Sequence, residues 1–567
     1  MFDYRDYIAK ILKENLPDLE ENELKNMIEI PPNSEMGDYA FPTFSLAKVL
    51  RKNPALIAKE IKEKIKSDKF SKIEVKGPYL NFFLDQKIFA KEVLETLLKE
   101  GADYGKSDLG EGKKVVVEFS SPNIAKPFHI GHIRTTIIGN AINNIYRFLG
   151  YDVIADNHLG DYGTQFGMLI TGMKHWGDEE IIKKDPIPEL LKLYVKVNKA
   201  AKEKPELADE ARMWFTKLEN KDEEAVRLWE FFVKESMKEF QRVYELLDIK
   251  FDTYLGESFF SDKMEDVVNE LEDKNLLIES QGASIVELEE YDLPPAMILK
   301  SDGSTLYATR DLATAIYRHK VYDFYKNIYV VGSEQNLYFR QLFAVLDKMG
   351  KDWAKDCVHV PFGMVNLKEG RLSTREGKVV FLEDVLNKAK EGIKEVMLSK
   401  DRGLTESEIE ELSAQIGVGA VIFQELFNDR IKDYTFDWEK TLSFEGETGP
   451  YVQYTHARIA SLLEKGDFET DLDFDFSLLD LDIERDILNL IYRYPESIFD
   501  AHEKYQPYFI TRHIVEIAKT FNSYYNSVPI NVEDDKLKNA RLALCYAAKS
   551  TIKSGLKLLG IKAPDRM

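Results

Sequence analysis
A chain of 567 residues, 44% hydrophobic and 12% aromatic, has enough apolar material for several cores, and its length predicts three or four domains rather than a fibre or a disordered tail. Two widely separated cysteines, Cys357 and Cys545, exclude a disulfide framework and a thiolate metal site, and favour a reducing compartment. A net charge of −22 excludes a protein that coats nucleic acid indiscriminately, yet leaves room for a local basic surface.

The first residues, "FDYRDYIAKILKENLPD", contain no apolar core like a signal peptide's, and no run is long enough to span a bilayer, so a cytoplasmic protein is expected. Residues 1–110 open with a helical pattern (Tyr7, Ile8, Ile11, Leu12). They then alternate apolar and polar in "SKIEVKGPYLNFFLD", which predicts a small α+β module. From Lys114, "KVVVEFS" reads as a buried strand and "HIRTTIIGNAINNIYRFLG" as a helix ending at Gly150. "YDVIAD" follows as the next strand. Strand, loop, helix and strand make a βαβ unit, whose loop "SSPNIAKPFHIGH" (120–132) lies at the carboxyl end of a parallel sheet, where such sheets bind ligands.

Residues from about 173 to 290 read as a polar, helix-rich insertion. "AMILKSDGSTLYATRD" predicts a hairpin turning at Asp302 and Gly303 and then a helix, while "NIYVVGSEQN" and "DCVHVPFGMV" predict further strands ending in polar loops. After "RLSTREGKVVFLEDVL" the pattern is almost wholly helical, with a capping box at Thr405 and Glu408. The boundaries that follow are 1–110, 111–400 and 401–567, the last an almost wholly helical region.

The loop at 120–132 offers helix-start N–H groups, His129, His132 and Lys126, a set suited to an anion such as a nucleotide's phosphates. Gly131 lets a flat purine or ribose approach the backbone. Taken alone, the two histidines are equally the turn and cap of an ordinary helix. Zinc is disfavoured, because no cysteine or third histidine completes a set; the absence of Walker A and GxGxxG motifs disfavours an ordinary P-loop ATPase or dinucleotide enzyme.

"HIGH" at 129–132 is identical to the signature of class I aminoacyl-tRNA synthetases, and "SSPNIAKPFHIGHIR" with "DNHLGDYGTQFG" resembles the arginyl-tRNA synthetase family. "YATRDLA", "VGSEQ", "FEGETGPYVQYTHARI" and the terminal "APDRM" extend the resemblance over nearly the whole chain. It implies a Rossmann-type α/β catalytic domain with a helical insertion, an N-terminal α+β domain and a C-terminal all-α anticodon-binding domain. It also implies that ATP activates L-arginine to arginyl-adenylate and that the arginyl group passes to the terminal ribose of tRNA(Arg), with AMP and pyrophosphate released. Mg²⁺ would be carried with ATP, with no structural metal, and a monomer is the family's usual state.

By the same resemblance His129, Gly131 and His132 bind ATP, and the two histidines stabilise charge on the phosphates. The family's mobile second signature loop matches "RLSTR" at 371–375, where Arg375 replaces the second lysine. Lys126, just before the HIGH signature, is expected to substitute for that lysine, and Lys378 is a further phosphate-binding candidate. Asp311, Tyr307 and Glu118 would recognise the guanidinium, and Asn123 and Gln335 the α-amino and carboxylate end. Lysine should be refused, because an ammonium leaves part of a carboxylate fork unpaired at roughly a few kcal/mol per group.

From Lys536 to Met567 the chain carries eight basic residues against one acid, Asp565, with Tyr546 among them. This stretch is read either as a solvated helix face or as a phosphate track with a stacking platform for an unpaired base. The resemblance places it in the anticodon-binding domain. It assigns "PPNSEMGDYAFP" and "KGPYLNFFL" to an extension that contacts the tRNA elbow. The competing expectations are a catalytically inactive synthetase-like RNA binder and a class I synthetase for another amino acid.

Overall fold
The computed structural model describes residues 3–300, 306–367, 381–399, 403–472 and 474–567. The N-terminal stretch folds into helices around a three-stranded antiparallel sheet, in which β1 (Tyr39–Pro42) and β2 (Phe70–Lys76) flank β3 (Tyr79–Leu84). Phe82 of β3 stands opposite both Tyr39 and Ile73, so the alternating pattern sends one row of side chains into a core that also takes Ile8 and Leu12 from the first helix.

The central sheet is parallel throughout. β4 (Lys114–Glu118) pairs with β5 (Asp152–Asp156), and the strand order is completed below by two later strands. Val115, Val116 and Val117 are fully buried, as expected of a strand covered on both faces. The connecting helix Ile133–Phe148 buries Ile133, Ile137, Ile138, Ala141, Ile142 and Ile145, the apolar positions its spacing predicts, and also polar ones such as Arg134, Asn140 and Asn143, since it is covered on nearly all sides.

The polar stretch that follows supplies the helices Pro186–Glu203, Pro205–Glu219 and Glu223–Leu246. It then gives β6 (Ile278–Ser280) and β7 (Ala283–Val286), which join β8 (Ala296–Leu299) in an antiparallel sheet of order β6-β7-β8. β8 pairs with the preceding β7, and the expected helix runs from Tyr307 to Tyr322. The hairpin expected within 296–311 has its turn at Asp302 and Gly303 and its second arm outside the described residues. β9 (Lys326–Gly332) and β10 (Cys357–Phe362) complete the parallel sheet in the order β10-β9-β4-β5, and β11 (Val365–Leu367) pairs with β12 (Tyr434–Phe436).

Beyond residue 403 five long helices dominate, Glu406–Phe427, Gly449–Lys465, Asp482–Glu503, Tyr508–Ser527 and Asp535–Leu558. The capping box at Thr405 is present, with the Glu408 N–H donating to the Thr405 hydroxyl and the Thr405 N–H to the Glu408 carboxylate. Cys357 and Cys545 are both buried and free. Among the described residues no helix is long and apolar enough to cross a membrane.

Candidate active site
The loop after β4 is held in a conformation its residues disfavour. Ser120, Ser121 and Ala125 have φ of 73°, 46° and 59°, and left-handed non-glycine residues cost on the order of 1–3 kcal/mol each, so the surroundings must over-determine them. They do so from three elements. The Ser120 N–H donates to Thr135 Oγ1 at 3.0 Å, and that hydroxyl donates to the Val330 carbonyl of β9 at 2.7 Å. The Ala125 N–H donates to Ser236 Oγ at 3.1 Å. Asn123 forms a parallel bridge with Gly160, where a Cβ would stand 2.5 Å from Asn123 Oδ1, so only glycine lets the two segments approach.

The chain then makes a short 3₁₀ turn, Ile130–His132, and enters the helix Ile133–Phe148. The Gly131 N–H donates to His129 Nδ1 at 3.0 Å, and the His129 N–H donates to His132 Nδ1 at 3.2 Å. With both Nδ1 atoms accepting, the network assigns the proton of each neutral ring to Nε2, which becomes a donor. The rings lie 4.0 Å apart, and His132 stacks on Phe128 at 5.1 Å. Burial, with His129 as a close cationic competitor, pushes His132 down to about 3, and burial lowers His129 as well. Lys126 is lowered by burial and pulled back by Glu257, and it supplies the positive charge beside two neutral donors. A Cβ on Gly131 would stand 2.7 Å from His129 Cε1, so this glycine makes room for the histidine ring itself. Phe381 bridges to His129, and the Leu382 N–H donates to the Phe128 carbonyl at 2.9 Å. Arg375 and Lys378 lie outside the described residues.

The carboxylates gather at the same end of the sheet. Glu118 closes β4 and Asp156 closes β5, in register with each other, and Arg318 Nη2 lies 2.6 Å from Glu118 Oε2 and 2.5 Å from Asp156 Oδ2. Asp311 accepts the Tyr338 hydroxyl; burial pushes its carboxyl up and Glu118 adds to the rise, while His158, Tyr338 and Arg310 oppose it. Burial likewise raises Glu257, which lies 3.0 Å from Arg310 Nη1. His158 Nδ1 lies 2.9 Å from the Leu255 carbonyl, and its Nε2 is buried without a partner among the described residues. Tyr307 is 68% exposed, one helical turn before Asp311, with its ring 5.7 Å from the Arg310 guanidinium. Gln335 is exposed at the carboxyl end of β9.

Glu118 and Asp311 therefore share one acidic cluster, with Tyr307 at its rim and Asn123 and Gln335 on neighbouring loops. Asp156, Arg318, Tyr338, Arg310 and Glu257 belong to the cluster and were not singled out in the sequence. Asp156 has the strand-end position that drew attention to Glu118, and Arg318 follows Asp311 by two helical turns.

The basic C-terminal stretch is less available than its charge suggests. Arg541 is buried, with Nε 3.0 Å from Glu484; Lys549 lies 2.7 Å from Asp565, and Lys562 pairs with Asp248. Tyr546, expected as a stacking platform or as part of a solvated face, is half-buried, and its ring packs on Phe468 at 5.2 Å between centroids.

Family models match in chain order: the arginyl tRNA synthetase N terminal domain over residues 4–84, the class I (R) tRNA synthetase catalytic domain over 93–438 and the DALR anticodon binding domain over 452–567. An arginine–tRNA ligase of Halothermothrix orenii is 56% identical over 568 residues, covering 100% of both chains. The solved arginyl-tRNA synthetase of Plasmodium falciparum superposes with a TM-score of 0.82 at 26% identity, covering 100% of this chain and 99% of its own. That of Thermus thermophilus shows the same fold, with a TM-score of 0.82 at 24% identity over 99% of this chain and 100% of its own. With a neutral histidine pair at the start of the first crossover helix, an acidic cluster beside it and these matches along its whole length, the chain belongs to the class I arginyl-tRNA synthetase family.

Proposed function
We propose that the chain activates L-arginine with ATP to arginyl-adenylate and pyrophosphate, then transfers the arginyl group to the 3′-terminal ribose of tRNA(Arg) and releases AMP. The observation that carries this reading is the juxtaposition of two histidines, each presenting an Nε2–H donor, with a carboxylate cluster at adjacent strand ends. The amino-acid carboxylate attacks the α-phosphate, so the protein's task is to align the two and stabilise charge on phosphate oxygens. His129 and His132 donate to those oxygens as neutral groups, and Lys126 supplies charge. Arg375 and Lys378 are proposed as further phosphate cations. The Gly131 N–H is engaged by His129, so its service is to the histidine.

Glu118 and Asp311 are assigned to the guanidinium, with Tyr307 closing over it, and Asn123 and Gln335 to the α-amino and carboxylate end. A cluster with more acids than arginines suits a permanently charged, planar, five-donor substrate. Histidine and lysine at the phosphate site suit an anion rather than a bare cation, so Mg²⁺ would arrive on the nucleotide's phosphates. The regions before about residue 110 and after 401 are proposed to hold tRNA, in a cytoplasmic monomer.

The test is charging of total tRNA by the purified protein with each amino acid in turn, alongside ATP–pyrophosphate exchange with and without tRNA. Charging by arginine alone is the expected result. Binding of tRNA with no charging by any amino acid would replace this reading with that of an inactive synthetase-like RNA binder.

A further inference from the structure
We propose that Arg318 is a positioning residue for the arginine pocket: it clamps one oxygen of Glu118 and one of Asp156, leaving the other Glu118 oxygen and Asp311 to the substrate guanidinium. This rests on the reading of Glu118 and Asp311 as guanidinium ligands. It deepens that reading by explaining how two neighbouring carboxylates are held side by side and aimed.

Three adjacent strand ends set the geometry. Tyr329 of β9 stands opposite Glu118 of β4, and Glu118 opposite Asp156 of β5, so two acids lie side by side in register. Like charges directly opposite in a sheet repel, and here both are buried. Arg318 reaches them from the helix Tyr307–Tyr322 with a side chain 1% exposed and its guanidinium 5.5 Å from the Tyr329 ring. A single nitrogen, Nη2, serves both carboxylates, at 2.6 Å and 2.5 Å. Nε and Nη1 are buried without partners among the described residues, so this arginine is placed for its charge rather than for a full set of hydrogen bonds.

The rest of each carboxylate divides by role. Asp156 Oδ1 accepts the Thr253 hydroxyl at 2.5 Å, which completes that residue as structure. Glu118 Oε1 makes no hydrogen bond among the described residues. Asp311 lies two helical turns before Arg318 on the same helix, so the clamp and the open ligand are carried on one rigid element. Counting Glu118, Asp156 and Asp311 against Arg318 leaves two negative charges for one incoming guanidinium. Without Arg318 three acids would crowd one desolvated site, and the proton they would take up is lost to substrate binding. The other charged or titratable groups facing the cluster are Tyr329, Tyr338, His158, Arg310, Glu257, Tyr322 and Cys357.

The experiment measures KM for arginine and for ATP in tRNA charging between pH 6 and 8.5. R318M should raise the arginine KM at least thirtyfold. The ratio of its arginine KM at pH 6 to that at pH 8.5 should exceed the wild-type ratio at least fivefold, because the crowded cluster, whose Asp311 carboxyl is already pushed up by burial and by Glu118, loses its internal cation. R318K, which keeps a cation between the carboxylates, should raise the arginine KM three- to tenfold, leave the ATP KM within twofold and keep the wild-type pH profile. Should R318M not fold, R318M/D156N, which also removes the second stranded carboxylate, replaces it, and the R318K values stand by themselves in any case. Equal KM values in R318K and R318M, an unchanged arginine KM in R318K, or parallel losses on both substrates would overturn the proposal. E118Q separates the two levels. If it leaves the arginine KM unchanged, the pocket reading fails and takes the proposal with it. If it raises that KM while R318M keeps the wild-type pH ratio, only the role of Arg318 fails.

Discussion
Arg134 and Glu425 stand 291 residues apart in the chain, yet Arg134 Nε lies 2.6 Å from Glu425 Oε1 and both side chains are buried. Arg134 follows His132 by two residues, and Glu425 lies on the helix Glu406–Phe427, so this pair locks the start of the first crossover helix to the C-terminal half. Arg134 Nη1 donates to the Lys432 carbonyl at 3.0 Å, and the Tyr434 hydroxyl donates to Glu425 Oε2 at 2.7 Å. Truncating one partner of such a pair strands the other charge at a cost of about 3–5 kcal/mol, whereas apolar replacement of both costs far less. Glu425→Ala should therefore lower the urea midpoint of the cooperative transition markedly, and Arg134→Met with Glu425→Leu should recover most of the loss. An unmoved midpoint in Glu425→Ala would show that the pair carries no net stability.

His132 should act as a neutral donor. Its folded-state pKa, about 3, lies below the ordinary histidine value of 6.5. As pH falls below about 6.5 the unfolded chain takes up the proton first, so this group's contribution to stability is present above that pH and is lost on the way toward 3. The imidazole signals of His132 in histidine-labelled protein should therefore stay flat from pH 5 to 8. His132→Ala should cut charging at least a hundredfold and leave tRNA affinity within twofold. A midpoint near 6.5 would mean that the ring works as an imidazolium.

The parts of the fold that follow local pattern are legible in the sequence: the valine run of β4, the isoleucine face of the helix after it and the Thr405 capping box. The pairing of β8 with the preceding β7 was not legible, because periodicity gives a strand's existence but not its partner. At the site, local pattern gave only the places of His129 and His132 before a helix and of Glu118 at a strand end; their roles, and that of Asp311, followed from the family resemblance rather than from residue type. Arg318 was not legible, because a lone arginine in a polar helix looks solvated, and only the approach of two strands shows that it is buried. Tyr546 is the converse case: an aromatic among lysines suggests a stacking platform, and its ring is half-buried against Phe468.

Asp311→Asn removes a carboxylate from a buried cluster that must hold a full positive charge. Losing one partner of a desolvated charge pair costs roughly 2–5 kcal/mol, about thirtyfold to several thousandfold in affinity. The arginine KM should rise within that range, with the ATP KM within threefold. Because burial and Glu118 raise the Asp311 pKa above the usual carboxylate value, arginine affinity in the unmodified protein should fall as pH drops toward that raised pKa. Unchanged arginine dependence in the variant would remove Asp311 from the pocket.

Arg541 separates structural from RNA-facing charge in the basic C-terminal stretch. Buried, with Nε 3.0 Å from Glu484 and Nη1 donating to the Pro529 carbonyl at 2.7 Å, it holds the helix Asp535–Leu558 in place. Arg541→Ala should lower thermal stability while leaving the dependence of tRNA affinity on salt unchanged in the protein that remains folded. A phosphate-contacting lysine would behave in the opposite way, reducing the slope of log affinity against log salt by about one on replacement. A reduced slope in Arg541→Ala would place this residue on the RNA after all.

Gly131→Ala tests whether the histidine network depends on the space the glycine leaves. The backbone at 131 is outside the left-handed region, so alanine meets no conformational strain, and in a helix start it should change stability by no more than about 1 kcal/mol. The added Cβ would stand 2.7 Å from His129 Cε1 and 2.8 Å from Nδ1, closer than side chains tolerate. The ring must therefore swing away, breaking the 3.0 Å bond from the Gly131 N–H that fixes its tautomer and aims Nε2. A fall in kcat of about ten- to a hundredfold is expected, with the thermal midpoint and arginine KM little changed, in line with the cost of misplacing a group by about 1 Å. If kcat stays within twofold, the orientation of His129 is set by something other than the Gly131 N–H.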